Sequence, residues 1–342
     1  MHKTAIQHQR GISLIELMVG IVVAMAAVVV VMQVFKVSEG ARRTTTGSDD
    51  AQTVGAIALT VLQRDLRQAG QGLSNLNLLG CNLTLPAGWP FNRLAPVTIN
   101  HASIPAGDPD TDTLLIAYGS GLGSPEGDRI NTQPGSNIYA VATTSAFRSA
   151  DRVVVAPTAR ATPCELILTQ VTGQPEAPHV TVATGMVGAA NGTLYNWGQT
   201  PRIAAYAVRN GHLTSCDFQT RDCRSSAAAN WPEVAAGIVS LRAQYGRDTS
   251  TARDAVVDLY DQTTPGNACG WTRVVALRLA VVARSGQYDR ETVLQTTPAW
   301  AAGASAPIVL QDGWEHYRYR TFETTVPLRN VPGPGFADID LC

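Results

Sequence analysis

At 342 residues and 45% hydrophobic content, the chain is long and apolar enough to bury a sizeable core. Charged residues are only 15% of the total and the formal net charge is −1, which argues against nucleic-acid binding through a basic face. Six cysteines, the first at Cys81, suit an oxidising compartment.

The first segment with a clear physical demand is RGISLIELMVGIVVAMAAVVVVMQVF, Arg10 to Phe35. From Ile12 onward it runs 24 residues with a single charge, Glu16. At ~1.5 Å per residue this is roughly 36 Å of helix, enough to cross a ~30 Å hydrocarbon layer. Lys3 and Arg10 precede it without an acid, so the N-terminus is expected to stay cytoplasmic and the remainder to be exported. An ordinary secretory signal is cut after its apolar run at a small-residue site. Here Ala24, Ala26 and Ala27 lie inside the run and VVVVMQVF comes after them, so the apolar segment is expected to be retained. Glu16 is then costly unless it is paired, and intramembrane carboxylates usually have a function.

Gly11 followed by ISLIEL resembles the class III signal of type IV prepilins: a short basic leader, a Gly before the cut, an apolar first mature residue and Glu at mature position five. The resemblance implies cleavage between Gly11 and Ile12 by a membrane aspartyl prepilin peptidase, and N-methylation of Ile12. It also implies that Glu16 pairs with the Ile12 amine of a neighbouring subunit in a filament. Such a pair would neutralise both charges inside an apolar bundle. The competing reading is a plain N-terminal anchor.

Residues 36–70 read as the same helix leaving the membrane. Ala51, Val54, Ala58, Val61, Leu62, Leu66 and Ala69 recur at helical spacing, so one stripe should pack on a globular domain. Asp50, Arg64, Asp65 and Arg67 are expected to face water or neighbours. Gly40, Gly47, Gly55 and the TTT run weaken the middle, and a bend or local melting is expected near residues 40–48. Gly70 and Gly72 should end the helix.

From residue 71 the pattern becomes β-rich. Expected strands are Thr113–Tyr118, Arg152–Ala156, Leu166–Val171, Arg202–Arg209, His212–Cys216, Ile238–Tyr245, Arg273–Arg284 and Phe322–Leu328. Asn-Gly within VRNGHL suits a type I′ hairpin. Asn100–Thr111 and Gly119–Ser136 read as loops, and the strands together as one largely antiparallel sheet laid against the helix.

In order, LQRDLRQAG, Gly80–Cys81, DTDTLLIAYG, PCELILTQVTG, YAVRNGHL, VAAGIVSLRAQYGRD, WTRVVALRLAVVARS and FETTVPLRN resemble blocks of the PilW family of minor pilins. FETTVPLRN is the most particular. The QGLSNLNLL spacer before Gly80–Cys81 is longer than is usual there. The resemblance implies an α+β, pilin-like fold: a long N-terminal helix, transmembrane and then amphipathic, on a largely antiparallel sheet with loop insertions. The expected divisions are a leader over 1–11, a membrane and polymerisation helix over 12–36, its amphipathic continuation over 37–70 and a periplasmic domain over 71–342.

Cys216 and Cys223 enclose six residues after a hairpin strand, favouring a local disulfide. Cys81, Cys164, Cys269 and Cys342 allow three pairings, of which Cys81–Cys164 with Cys269–Cys342 is favoured. No CxxC or nearby His supports zinc. The run GRDTSTARDAVVDLYD offers Asp248, Asp254, Asp258 and Asp261, but Thr, Ser, Ala and Arg253 interrupt it. A hard cation wants six or more oxygens, so a solvated loop is the better reading. GSGLG at Gly119–Gly123 is followed by a turn, not a helix, and is no nucleotide fingerprint. His2, His8, His101, His179, His212 and His316 are scattered, and no Ser or Cys occupies a nucleophile elbow. Trp89, Trp197, Trp231, Trp271, Trp300 and Trp314 read as packed loop corners. WEHYRYR, Trp314–Arg320, reads as an edge strand with Arg318 and Arg320 outward, in preference to an exposed binding strand.

No catalytic residue, metal or cofactor is called for. The resemblance implies a minor pilin of a type IV pilus, acting in a priming complex that starts assembly. It would link the chain to cell adhesion and twitching motility. Expected partners are the prepilin peptidase, other minor pilins and the major pilin through the helix, the inner membrane, a tip adhesin, and no nucleic acid. The protein would reside in the inner membrane, with its domain periplasmic, before passing to the pilus surface. Alternatives are a minor pseudopilin of type II secretion and a tethered periplasmic protein that never polymerises.

Overall fold

The structure, a computed structural model, describes residues 13–86, 90–121 and 123–332. Gly11, Ile12, Trp89 and Cys342, and with them the leader and the cleavage junction, lie outside the described residues. The chain divides into two compact units, residues 1–49 and 50–342.

The first long element is α1 (Leu14–Gln68). Its helical hydrogen bonding runs without interruption, so the local melting expected near residues 40–48 is not seen. Glycines cost a helix about 1 kcal/mol each but leave every N–H in place, and α1 contains no proline to remove one. Just past its end, Gly70 takes a positive φ of 86° and its N–H donates to Ala117 O.

The strands come in order. β1 (Asn82–Thr84), β2 (Pro90–Phe91), β3 (Val97–Ile99) and β4 (Leu114–Tyr118) are first. Next are β5 (Asp128–Gly135), β6 (Ile138–Val141), β7 (Arg152–Ala156), β8 (Glu165–Ile167), β9 (Thr169–Gln170), β10 (His179–Thr181) and β11 (Thr193–Gly198). Then come β12 (Arg202–Arg209), β13 (His212–Asp217), β14 (Glu233–Ala236), β15 (Ile238–Arg247) and β16 (Leu259–Asp261). A short α2 (Ala268–Trp271) precedes β17 (Val274–Arg284), and β18 (Tyr319–Pro327) is last.

Among the described residues these strands form four sheets, where the sequence suggested one. Antiparallel pairing dominates; β1 and β8 form a parallel pair. The fold is thus α+β, a long apolar N-terminal helix followed by a mostly antiparallel domain. The five-stranded sheet has the order β14-β13-β12-β4-β3 and the four-stranded one β16-β15-β17-β18. β12 and β4 are buried along nearly their whole length because they are central strands with apolar neighbours on both faces. Asn210 and Gly211, with φ of 52° and 73°, make the two-residue turn between β12 and β13.

The six-stranded sheet, β10-β6-β5-β11-β7-β9, lies between β4 and β12 in the chain, together with β8 of the small sheet. Its two outer strands meet. Val171 bridges Val182, Thr172 N donates to Thr181 O, and Ala183 N donates to Gln170 O. The ladder therefore closes into a small antiparallel barrel, which removes its open edges. Ile130, Tyr139, Val153, Val155, Val180 and Leu194 belong to a separate core inside it.

Two sequence expectations fail here for visible reasons. β5 lies inside the stretch read as loop, Gly119–Ser136; of its residues only Ile130 is fully buried, so its DRINTQPG sequence carries no alternating signal. The segment expected as one strand, Leu166–Val171, breaks at Leu168 because β8 pairs with β1 and β9 with β7.

Candidate functional site: the apolar helix and its clamp

The described residues of the first unit offer one chemical feature. From Leu14 to Val37 the large apolar side chains of α1 are exposed all round the helix, and Glu16, in its first turn, is exposed with them. This helix is long and apolar enough to cross a membrane. An all-round apolar surface has no solvent face, so it requires a bilayer or a bundle of like helices.

The second unit holds the rest of α1. Ala51, Ala58, Leu62, Leu66 and Ala69 are buried in the main core, and Val54 and Val61 pack against it, as the spacing predicts. Asp50, Arg64 and Arg67 are exposed. Asp65 is not: it is buried, against the expectation that it faces water. Three groups compensate its charge. Tyr206 Oη donates to Asp65 Oδ2 at 2.5 Å, Tyr118 Oη donates to Oδ1 at 3.0 Å, and Arg202 Nε lies 3.3 Å from Oδ2. Arg202 also reaches Asp217 at 3.4 Å. Burial, and then the charge of Asp65, push both tyrosines above the ordinary phenol range, so they remain donors. Burial likewise raises Asp217. Sequence reasoning missed Tyr118, Tyr206 and Arg202. The available signal was periodicity: position 65 is seven residues from Ala58 and four from Ala69, on the buried stripe.

The block FETTVPLRN closes over the same stretch of α1. The Phe322 ring lies against Gly55, where a Cβ would come within 2.0 Å of it. Gln63 Nε2 donates to Thr324 Oγ1 at 2.7 Å, and Val326 and Leu328 are buried in the core. Asn330 Nδ2 then donates to the carbonyls of Arg67, Gln68 and Ala69 at 3.4, 3.3 and 3.2 Å. These are carbonyls left open at a helix C-terminus, so the block's last residue caps α1. A residue 262 positions from Gln68 thus finishes the helix.

Cys81 is bonded to Cys164, and Cys216 to Cys223, with Cα–Cα distances of 4.9 and 5.5 Å. Cys269 is also disulfide-bonded, and its expected partner, Cys342, lies outside the described residues. The acidic loop spends its carboxylates on itself. Asp248 accepts from the backbone of Ser250, Asp254 and Ala255, while Asp258 accepts from Thr249 and Ser250. Asp261 pairs with Arg247 at 2.9 Å. Among the described residues no group of three or more His, Cys, Asp or Glu is placed to hold a metal ion.

The GSGLG run is a packing seam. A Cβ on Gly119 would meet Trp197 at 2.9 Å, and one on Gly121 would meet Asn196 O at 2.7 Å. Trp197 itself is a fully buried strand residue, where a loop corner was expected, and its Nε1 donates to Gly72 O at 3.0 Å. WEHYRYR is also not a single strand. Trp314–His316 form a 3-10 turn, β18 starts at Tyr319, and Arg318 pairs with Asp289 at 3.1 Å. Gly313, in the turn before Trp314, takes a left-handed φ of 80°.

An apolar anchor-length helix joined to an α+β domain through a clamped C-terminal half defines the class. Within it, residues 205–330 match the family described as PilW, Type IV Pilus-assembly protein W. The match ends on Asn330, the cap of α1, and starts after the barrel, which lies wholly outside it. It supports a place for this chain in type IV pilus assembly. No curated protein and no solved structure matches the chain.

Proposed function

We propose that the chain is a minor pilin, cut between Gly11 and Ile12, N-methylated on Ile12 and built into a type IV pilus as part of a complex that starts assembly. One observation carries the reading. The exposed, all-round apolar stretch of α1, Leu14 to Val37, holds a single carboxylate, Glu16, in its first turn, on a chain whose residues 205–330 match a pilus-assembly family. In a bundle of such helices the cost of burying Glu16 falls when the Ile12 amine of the next subunit pairs with it. That pair would set the axial register. The pilin-like fold, the periplasmic orientation of the domain, and its contacts with a peptidase, other pilins and a tip adhesin belong to the same reading.

Mass spectrometry of the mature N-terminus, on protein recovered from the native host's membranes, tests it. A chain beginning at methylated Ile12 is expected. A chain beginning at Met1 in the presence of an active prepilin peptidase would refute filament assembly and return the helix to the role of a plain anchor.

A further inference from the structure

Beside the turn between β12 and β13 lies a cavity of about 350 Å3, within the range of small-molecule sites. Its wall combines an aromatic ring with hydrogen-bonding groups. Trp314 lines it on the 3-10 turn before β18; among the described residues no ring or cation stacks on this indole and no acceptor takes its N–H. The Arg284 guanidinium sits 4.6 Å from the centre of the Tyr317 ring, with no carboxylate partner among the described residues. Asn210 and Gln311, both exposed amide residues, also line it, as does the half-buried Tyr319. Asp108 fixes the floor: its two carboxylate oxygens accept from Asn210 N and Gly211 N, both at 2.8 Å.

We propose that this cavity binds a neutral saccharide, with Trp314 as the stacking platform and Arg284, Asn210 and Gln311 as the hydroxyl-reading groups. A pyranose ring presents an apolar C–H face and a rim of hydroxyls, each both donor and acceptor. The C–H face suits an indole on which no ring or cation of the described residues stacks. The rim suits amides, which donate and accept, beside a guanidinium that only donates. Asp108 and Asp312 line the cavity along with Arg284, so the wall carries no net positive charge that would select an anion. A second cavity, of about 390 Å3, shares Asp108 and Asn210 across the hairpin tip. Its Trp231 is covered by Arg209 at 4.2 Å and its N–H donates to Ser225 O, so stacking falls to Trp314, with the second cavity left to hold further sugar units. The site depends on the domain alone and does not rest on pilus assembly.

The test uses the full-length chain in lipid nanodiscs, because glycosidic detergents would compete. Maltotriose, cellotriose, triacetylchitotriose and lactose are titrated while tryptophan fluorescence and saturation-transfer NMR are recorded. At least one sugar should bind saturably, Trp314→Ala should weaken it tenfold or more, and Trp314→Phe should stay within threefold of wild type. Gln311→Ala changes an exposed side chain outside the strands; it should weaken binding at least threefold and carries the test where Trp314→Ala fails to fold. Absence of binding by all four sugars at millimolar concentration overturns the proposal, as does binding that none of these substitutions alters.

Discussion

The two stretches of α1 are one helix by backbone and two objects by chemistry. From Leu14 to Val37 the apolar residues surround the axis and are exposed; from Ala51 to Ala69 they line a single side and are buried. The first stretch finds no cover within the described residues, so its stability depends on surroundings supplied from outside. The second is fixed by its own domain: a core stripe, a buried carboxylate with three partners, and a terminal cap from the chain's far end. Their single acids carry the contrast. Glu16 is exposed on the apolar stretch, while Asp65 is buried and paired.

The largest expected effect breaks the contrast at Glu16. Glu16→Ala should lower incorporation into filaments at least tenfold, read by immunoblot of sheared pili. The domain's thermal midpoint should move by less than about 1 °C, because exposed substitutions cost within ~0.5 kcal/mol. Equal incorporation would remove the register argument.

Asp65→Ala should do the opposite. It strands two buried tyrosine hydroxyls and takes one partner from Arg202, so a loss of about 3 kcal/mol in urea unfolding is expected. Asp65→Asn keeps an acceptor and should cost less. A loss below about 1 kcal/mol for the alanine variant would show that the cluster does not hold the helix.

Gly55→Ala sharpens the comparison by one methyl group. Alanine favours the helix by about 1 kcal/mol, but its Cβ would collide with the Phe322 ring, and overpacking costs about 1–3 kcal/mol. A net loss of up to about 2 kcal/mol in urea unfolding is expected. At Gly40 nothing lies within 4 Å of an added Cβ, so the same substitution should not lower stability.

The smallest effect is alkaline. Burial raises Tyr245 to about 12, and burial with the charge of Asp65 raises Tyr118 and Tyr206. A raised pKa means that the folded state holds its proton more tightly. This stability is whole below the unfolded value of about 10 and is lost as pH rises through the folded values. Tyrosinate absorbance followed together with circular dichroism should show these residues ionising with unfolding above pH 10, in a transition that Tyr206→Phe shifts.

Much of the architecture was legible in single stretches. The strand Arg202–Arg209 and its Asn-Gly turn are visible because β-branched and apolar runs bounded by turn residues need no distant information. The buried stripe of α1 was visible for the same reason. The Asp65 cluster was only half legible. Helical spacing placed residue 65 inward, polarity argued outward, and the three groups that decide the matter lie on β4 and β12. The barrel was illegible: its closure rests on Val171 meeting Val182 and on polar strands such as β5, whose residues face water on most sides.

The sequence by itself determined that the apolar run through Phe35, helical from Leu14 onward, has membrane length and bears one carboxylate, because hydrophobicity and the 1.5 Å rise are local properties. It also determined the β-rich character of the chain beyond residue 70, through the placement of Gly, Pro and β-branched residues. Only the tertiary structure decided that Asp65 is buried, that Asn330 caps the helix, that six strands close into a barrel and that Trp314 borders a cavity with Arg284. Each of these depends on groups far apart in the chain meeting at hydrogen-bonding or van der Waals distance, and no local pattern encodes which distant group arrives.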